Sequence, residues 1–278
     1  MAIAQFLRRP RPLLMGILNV TPDSFSDGGR FLDPDRALRH AREMVGQGAD
    51  IIDVGGESTR PGSAPVGAAE QIARVVPVIA ALRAGLPGAT LISIDTTQAD
   101  VAAVALSAGA DFINDVSAGR DDPAMLGLAA RRGAPIVLMH MQGTPQTMQD
   151  APRYEDVVDE VLGFLLERTA AAQAAGVAAG NIILDPGIGF GKSKEDNLLL
   201  MANLQRFAAA GYVTLLGASR KRFMGAVCHE TRPRELVAAT VATTALGVMA
   251  GINLFRVHDV RENRQAADVA YAIKTAGA

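Results

Sequence analysis

The chain has 278 residues, 49% of them hydrophobic and 20% charged, with a net charge of −2. That balance describes a chain with a large core; it excludes general disorder and gives no support to nucleic-acid or anionic-membrane binding. The single cysteine, Cys228, excludes an internal disulfide and a multi-cysteine metal cluster, and fits a reducing compartment.

The opening residues, MAIAQFLRRPRPLLMG, lack the charged end and apolar run of a signal peptide, so a cytoplasmic location is expected. Strand-like runs then follow at 13–20 (LLMGILNV), 50–56 (DIIDVGG), 90–96 (TLISIDT), 112–116 (FINDV), 135–140 (PIVLMH), 181–186 (NIILDP), 213–219 (VTLLGAS) and 252–258 (INLFRVH). Helical stretches begin near Pro34, Ala68, Gln98, Pro123, Tyr154, Lys194, Arg232 and Arg261. The Ala-rich piece Leu236–Ala250 is short and contains Thr, so it reads as a buried helix and not as a membrane span.

The strand runs are nearly continuous in apolar residues, which marks parallel strands covered on both faces. Eight strand–helix units in one chain predict a single (β/α)₈ TIM barrel over 1–278, with 1–12 as an N-terminal extension. A doubly wound open sheet is the competitor. It concentrates its site after one strand, whereas polar residues follow nearly every strand here. Three strand-to-helix loops are long: Thr21–Asp33, Glu57–Gly67 and Met141–Arg153. Long loops in a compact domain are usually functional or mobile.

A barrel places its chemistry at the carboxyl ends of its strands. That rim reads Asn19, Asp53 or the Gly-Gly after it, Asp95, Asn114 with Asp115, His140, Asp185, Ser219-Arg220-Lys221, and Arg256 with His258. Helix capping accounts for some Asp, Asn and Ser residues. It does not account for Lys221, Arg256 and His258, or for Asp and Asn inside the strand runs.

Acceptors (Asp95, Asn114, Asp185) and cations or donors (Lys221, Arg220, Arg256, His258, and Arg60 on the second long loop) divide this rim. A ligand with an anionic group at one end and a donor-rich heterocycle at the other satisfies both. Diphosphate suits Arg256 and His258, and an aminopyrimidinone offers adjacent N–H donors to a carboxylate such as Asp185. Asn19 offers a neutral oxygen suited to Mg²⁺ that is held mainly by substrate phosphates and water. His140, His258 and Asp185 as a zinc set is discounted, because no cysteine cluster and no short His spacing exists. GIGFGK (187–192) lacks P-loop and dinucleotide spacing and reads as a tight, backbone-exposed loop. Met44, Met201 and Met249 read as core filler, and Cys228 as inert.

Together MGILNVTPDSFSDGG, DIIDVGGESTRPG, ISIDT, INDV, LMHMQGTPQTMQ, DPGIGFGK, GASRKRFMG and RVHDV resemble the dihydropteroate synthases of the folate pathway, over residues 13 to about 275. The resemblance implies the (β/α)₈ barrel that the strand pattern also predicts, and a Mg²⁺-dependent transferase. Its reaction joins 6-hydroxymethyl-7,8-dihydropterin diphosphate to 4-aminobenzoate, releasing diphosphate by dissociative cleavage. It further implies a sulfonamide target, a homodimer, small-molecule substrates only, and no nucleic-acid or membrane partner.

By the same resemblance, Asp95, Asn114, Asp185, Lys221 and Arg256 hold the pterin, with Arg256 stacking on its face. Asn19, Thr59, Arg60, Arg256 and His258 take the diphosphate, Asn19 being the Mg²⁺ ligand. Phe25, Thr59, Arg60, Pro61, Phe190, Ser219 and Lys221 wall the aminobenzoate site. Asp95, Lys221, Arg256 and His258 carry the chemistry. The loop TPDSFSDGG (21–29) becomes a hinged cover, with Gly28 and Gly29 for freedom. Arg222 stands where the family often has Ser, and its side chain has no assigned role. Two other readings compete: a pterin-barrel methyltransferase working with a corrinoid partner, and a non-catalytic pterin-binding paralogue. The first has no use for the SRK and RVH motifs, and the second should have lost part of the Asn19, Asp95, Lys221, Arg256 and His258 set.

Overall fold

The structure, a computed structural model, describes residues 3–20, 33–57, 63 and 65–277. Eight parallel strands close into a barrel in chain order. They are β1 (Leu13–Asn19), β2 (Ile51–Gly55), β3 (Leu91–Asp95), β4 (Phe112–Asp115), β5 (Ile136–Met139), β6 (Ile182–Asp185), β7 (Val213–Leu216) and β8 (Leu254–Val257). β1 pairs with both β2 and β8, which closes the ring.

The helices are α1 (Ile3–Leu7), α2 (Pro34–Gly46), α3 (Ala68–Gly85), α4 (Ala99–Ala108), α5 (Ala124–Arg132), α6 (Val157–Ala174), α7 (Lys194–Ala202), α8 (Leu204–Ala208), α9 (Arg222–Cys228), α10 (Val237–Ala250) and α11 (Val260–Ala276). Several start on sequence signals. Asp33 caps α2 through the Asp35 N–H with Pro34 at the first position, and Ser193 with Asp196 forms a capping box on α7. The sequence pattern misses α1, α8 and α9, each of seven residues or fewer, because so short a helix carries no amphipathic period.

The continuous apolar character of the strands has a direct structural reason. One set of alternate residues, including Leu14, Leu18, Ile52, Ile92, Ile113, Leu138 and Leu184, packs outward under the helices. The other set, including Leu13, Met15, Ile51, Leu91, Phe112, Val137, Ile183 and Leu254, fills the barrel floor. Phe6 and Leu7 of α1 pack into that floor, so residues 3–12 supply a plug as well as a lead-in. Each buried side chain of this size stabilises the fold by about 1.5–3 kcal/mol.

Helix α10 corrects the expectation of a buried helix. It buries Thr240, Thr243, Thr244, Gly247 and Val248, and leaves Leu246 and Met249 exposed. Met44 is core, as expected, but Met249 is not. Among the described residues, no helix is long and apolar enough to cross a membrane.

Candidate active site

The same alternation that fills the floor builds the site. Two residues beyond each inward apolar residue the strand again faces inward, one layer higher. Ile51 is followed by Asp53, Leu91 by Ser93 and Asp95, Phe112 by Asn114, Ile183 by Asp185, and Leu254 by Arg256 and His258. The barrel interior therefore changes from apolar to polar as it rises towards the strand ends. Across the first four strands, Asn19, Gly55, Asp95 and Asn114 lie in register. Gly55 lies between them: a Cβ there would stand in ordinary contact, 3.7 Å from Asp95 Oδ2 and 3.8 Å from Asn19 Oδ1.

At the centre stands Arg256. Its Nε donates to Asp53 Oδ2 at 2.6 Å and its Nη2 donates to Asp95 Oδ2 at 2.7 Å. Asn114 Nδ2 donates to the same Asp53 oxygen at 3.1 Å. Burial opposes the guanidinium charge, but Asp53 and Asp95 outweigh it and hold Arg256 above its ordinary range. Burial raises the Asp95 carboxyl; Arg256 pulls it back down, and Asp53 adds to the rise. Asp53 was one of two alternatives on the predicted rim and had no role. It proves to be the buried counter-ion that sets the arginine.

Asp185 is buried at the end of β6, with Oδ1 accepting the Gly187 N–H at 2.7 Å. Burial raises it to about 6, against the Gly187 hydrogen bond and the charges of Lys221, Lys192 and Arg256. Lys221 is half-buried, and its Nζ lies 3.8 Å from the centroid of the Phe190 ring. Burial and then Arg256 lower Lys221 to about 8, while Asp185 and Asp95 work the other way. Phe190 itself is buried with Val116, Met139, Met141 and Met148, so the third long loop packs against the site wall. Ser219 Oγ lies 2.9 Å from His258 Nδ1, and the His258 N–H donates to that oxygen at 3.2 Å.

Three rim residues are not part of this group. Arg220 turns away and forks onto Asp259, with Nε 2.9 Å from Oδ2. Asp115 has the outward parity and accepts from Ser117 and Gly119, organising the turn after β4. His140, one position past the inward Met139, also turns outward. Its ring meets Phe164 edge-on at 4.9 Å and its Nδ1 lies 2.9 Å from Lys192 Nζ. Burial, Lys192 and Arg120 lower it to about 2, so the imidazole is neutral. It stands apart from the Asp185–His258 zinc set considered for it.

GIGFGK is tight, as expected, but buried and not backbone-exposed. Gly187 has φ +65° and a Cβ there would stand 1.9 Å from the His140 carbonyl oxygen, which only glycine permits. Of the expected site residues, Phe25, Thr59, Arg60 and Pro61 lie outside the described residues, as does the whole 21–29 cover.

The pterin binding enzyme family matches residues 15–258 of this chain. A dihydropteroate synthase of Synechocystis is 46% identical over 263 residues, covering 95% of this chain and 90% of its own length. The chain belongs to the dihydropteroate synthase family. Its fold agrees with solved members. The Yersinia pestis dihydropteroate synthase, solved as a sulfonamide drug complex, superposes with a TM-score of 0.89 at 42% identity, covering 95% of each chain. The Xanthomonas albilineans dihydropteroate synthase in complex with 7,8-dihydropteroate gives 0.85 at 41% identity, covering 96% of this chain and 95% of that one. As a dihydropteroate synthase family member the protein is an enzyme, a transferase of folate biosynthesis.

Within the family frame, the barrel mouth brings together Asn19, Asp95, Asn114, Asp185, Lys221, Arg256, Phe190, Ser219 and His258 from six strands or the loops that follow them. Asp53 and Lys192 were missed as contributors. The inward parity of Asp53 is legible in DIIDVGG, since it lies two positions past Ile51.

Proposed function

We propose that the protein condenses 6-hydroxymethyl-7,8-dihydropterin diphosphate with 4-aminobenzoate to give 7,8-dihydropteroate and diphosphate. The observation that carries this reading is the Asp53–Arg256–Asp95 ion pair standing in one mouth with Asp185 and Lys221. It puts carboxylate acceptors and cationic donors within the span of one ligand.

In this reading Asp185 and Asn114 accept and donate to the pterin edge, with Lys221 and Asp95 beside them, and Arg256 covers the ring face. The C–O bond to diphosphate breaks with its electron pair leaving on oxygen. Asp95 stabilises the positive charge that develops on the pterin methylene. Arg256 and His258 stabilise the departing anion, with Thr59 and Arg60 from the second long loop. Preorganised contacts of this type are commonly worth about 3–4 kcal/mol each. The neutral aromatic amine then attacks, forming the C–N bond and losing a proton. No covalent intermediate with the protein is needed. Phe25, Thr59, Arg60, Pro61, Phe190, Ser219 and Lys221 wall the amine's site, where a sulfonamide, sharing its shape, competes.

Among the described residues, no group of three or more His, Cys, Asp or Glu is placed to hold a metal. The Asn19 oxygen, half-buried beside Asp95, fits a hard cation whose remaining ligands are phosphate oxygens and waters. When bound, Mg²⁺ there would offset the charge of the diphosphate.

The homodimer has support in the surface formed by α10 and α11. Leu246, Met249, Val269 and Ile273 are exposed and line one apolar groove, a composition suited to burial against a second copy. The exposed thiol of Cys228 fits the cytoplasm as location. Residues 1–278 are read as one pterin-binding barrel domain.

The test is a coupled assay of diphosphate release with dihydropterin diphosphate, with and without 4-aminobenzoate. Release that depends on the amine supports the condensation. Absence of release, with methyl transfer from a methylated pterin, would favour the corrinoid-linked methyltransferase.

A further inference from the structure

We propose that Lys192 is a positioning residue for the second substrate: its ammonium gathers the loop after β6 and thereby holds Phe190 at the aminobenzoate wall. Lys192 is buried, and its Nζ lies 2.9 Å from the carbonyl oxygens of Gly187 and Phe190, 3.3 Å from that of His140, and 2.9 Å from His140 Nδ1. Four acceptors from two chain segments thus converge on one cation with three N–H donors. Without it, the buried carbonyl oxygens of Phe190 and His140 would lose this donor, and that of Gly187 would keep only the Phe190 N–H at 3.1 Å.

The loop needs such a tie. Gly187, Gly189 and Gly191 all have positive φ, and a Cβ at 191 would stand 2.4 Å from the Gln142 carbonyl oxygen, so backbone lies directly on backbone. Asn197 Oδ1 accepts from the Gly189 N–H and Tyr154 Oη donates to the Gly191 carbonyl, which secure the far side. Lys192 secures the near side. Burial lowers its ammonium to about 7, with Asp185 favouring the charge. Asp185 belongs to β6 and keeps its place by strand pairing. Phe190 lies in the loop and is held otherwise only by side-chain packing against Val116, Met139, Met141, Met148 and Lys221, not by strand pairing, so loss of Lys192 moves Phe190 further than Asp185.

The inference rests on the reading of Phe190 as an aminobenzoate wall, and the experiment separates the two. In Lys192→Ala, the Michaelis constant for 4-aminobenzoate rises about tenfold or more, while the calorimetric Kd for dihydropterin diphosphate stays within about threefold. Added methylammonium, which fits the emptied acceptor cage, recovers the aminobenzoate constant; tetramethylammonium, which has no N–H, does not. Equal losses for both substrates, an unchanged aminobenzoate constant, or no recovery with methylammonium overturns the proposal. Phe190→Ala run in parallel should raise the same constant; if it does not, the wall reading fails on its own. If Lys192→Ala does not fold, His140→Leu removes one acceptor and keeps the cation. It should raise the aminobenzoate constant about threefold with pterin affinity unchanged, and no effect overturns the proposal.

Discussion

Arg256 on β8 reaches Asp53 on β2 at 2.6 Å, although the two are 203 residues apart in the chain. The contact spans β1, which lies between the two strands in the closed ring. Asp53 is fully buried and carries no cationic partner other than Arg256 among the described ion pairs. Replacing it with Ala leaves Arg256 paired to Asp95 alone. The expected outcome is a destabilisation of about 3 kcal/mol, the lower end for breaking a buried pair. Chemical denaturation measures it, and a loss below about 0.5 kcal/mol would count against the ion pair as a structural element.

Asp185→Ala removes the acceptor for the pterin edge. With two hydrogen bonds to a carboxylate lost, at about 1.5–3 kcal/mol each, affinity should fall by at least about a hundredfold. Titration calorimetry with dihydropterin diphosphate is the measurement, and unchanged affinity would remove Asp185 from the pterin site.

Asn19→Ala separates diphosphate from pterin. Diphosphate affinity in the presence of Mg²⁺ should drop about tenfold, while a pterin without diphosphate binds as before. Chelation of Mg²⁺ should erase the difference between variant and parent. Equal losses for both ligands would refute the division between Asn19 and the pterin group.

The pH dependence follows from residues moved towards neutrality, Asp185 and Asp95 on the acid side and Lys192 and Lys221 on the basic side. Pterin binding needs the Asp185 carboxylate, so affinity should rise as pH increases through about 6. Lys221 loses its charge above about 8, so activity should fall there. The stability of the unliganded protein moves the other way on the acid side. Asp185 and Asp115 titrate near 6 when folded and Asp95 near 7, above the ordinary carboxylate value, so these three bind more protons in the folded state between about 4 and 7, whereas His140, held near 2, binds fewer and offsets about one of them. Stability should therefore fall as pH rises across that window. A kcat/KM profile and melting curves from pH 4 to 9 measure both, and a flat acid limb in the profile would contradict the roles given to Asp185 and Asp95.

Leu246→Glu combined with Ile273→Glu places charge in the α10–α11 groove, where both parent side chains are exposed. Sedimentation should show a dimer in the parent and a monomer in the variant, with the barrel fold retained by circular dichroism. A parent that sediments as a monomer would end the dimer reading.

The barrel was legible along the chain because its cause is local. Strands covered on both faces must be apolar at every position, and each run from LLMGILNV to INLFRVH carries that mark. Strand ends were legible for the same reason, since polar residues begin where the apolar floor stops. Alternation also sorts the rim: Asn19, Asp95, Asn114, Asp185, Arg256 and His258 share the inward parity, whereas Asp115 and His140 do not. What the chain order by itself could not decide is which inward groups neutralise one another. The Asp53–Arg256 pair and the Lys192 cage depend on which strands become neighbours and on the closeness of backbone segments brought together by closure. Those are properties of three-dimensional distance, because a charge chooses its partner by separation in space and by the water excluded around it, not by position along the chain.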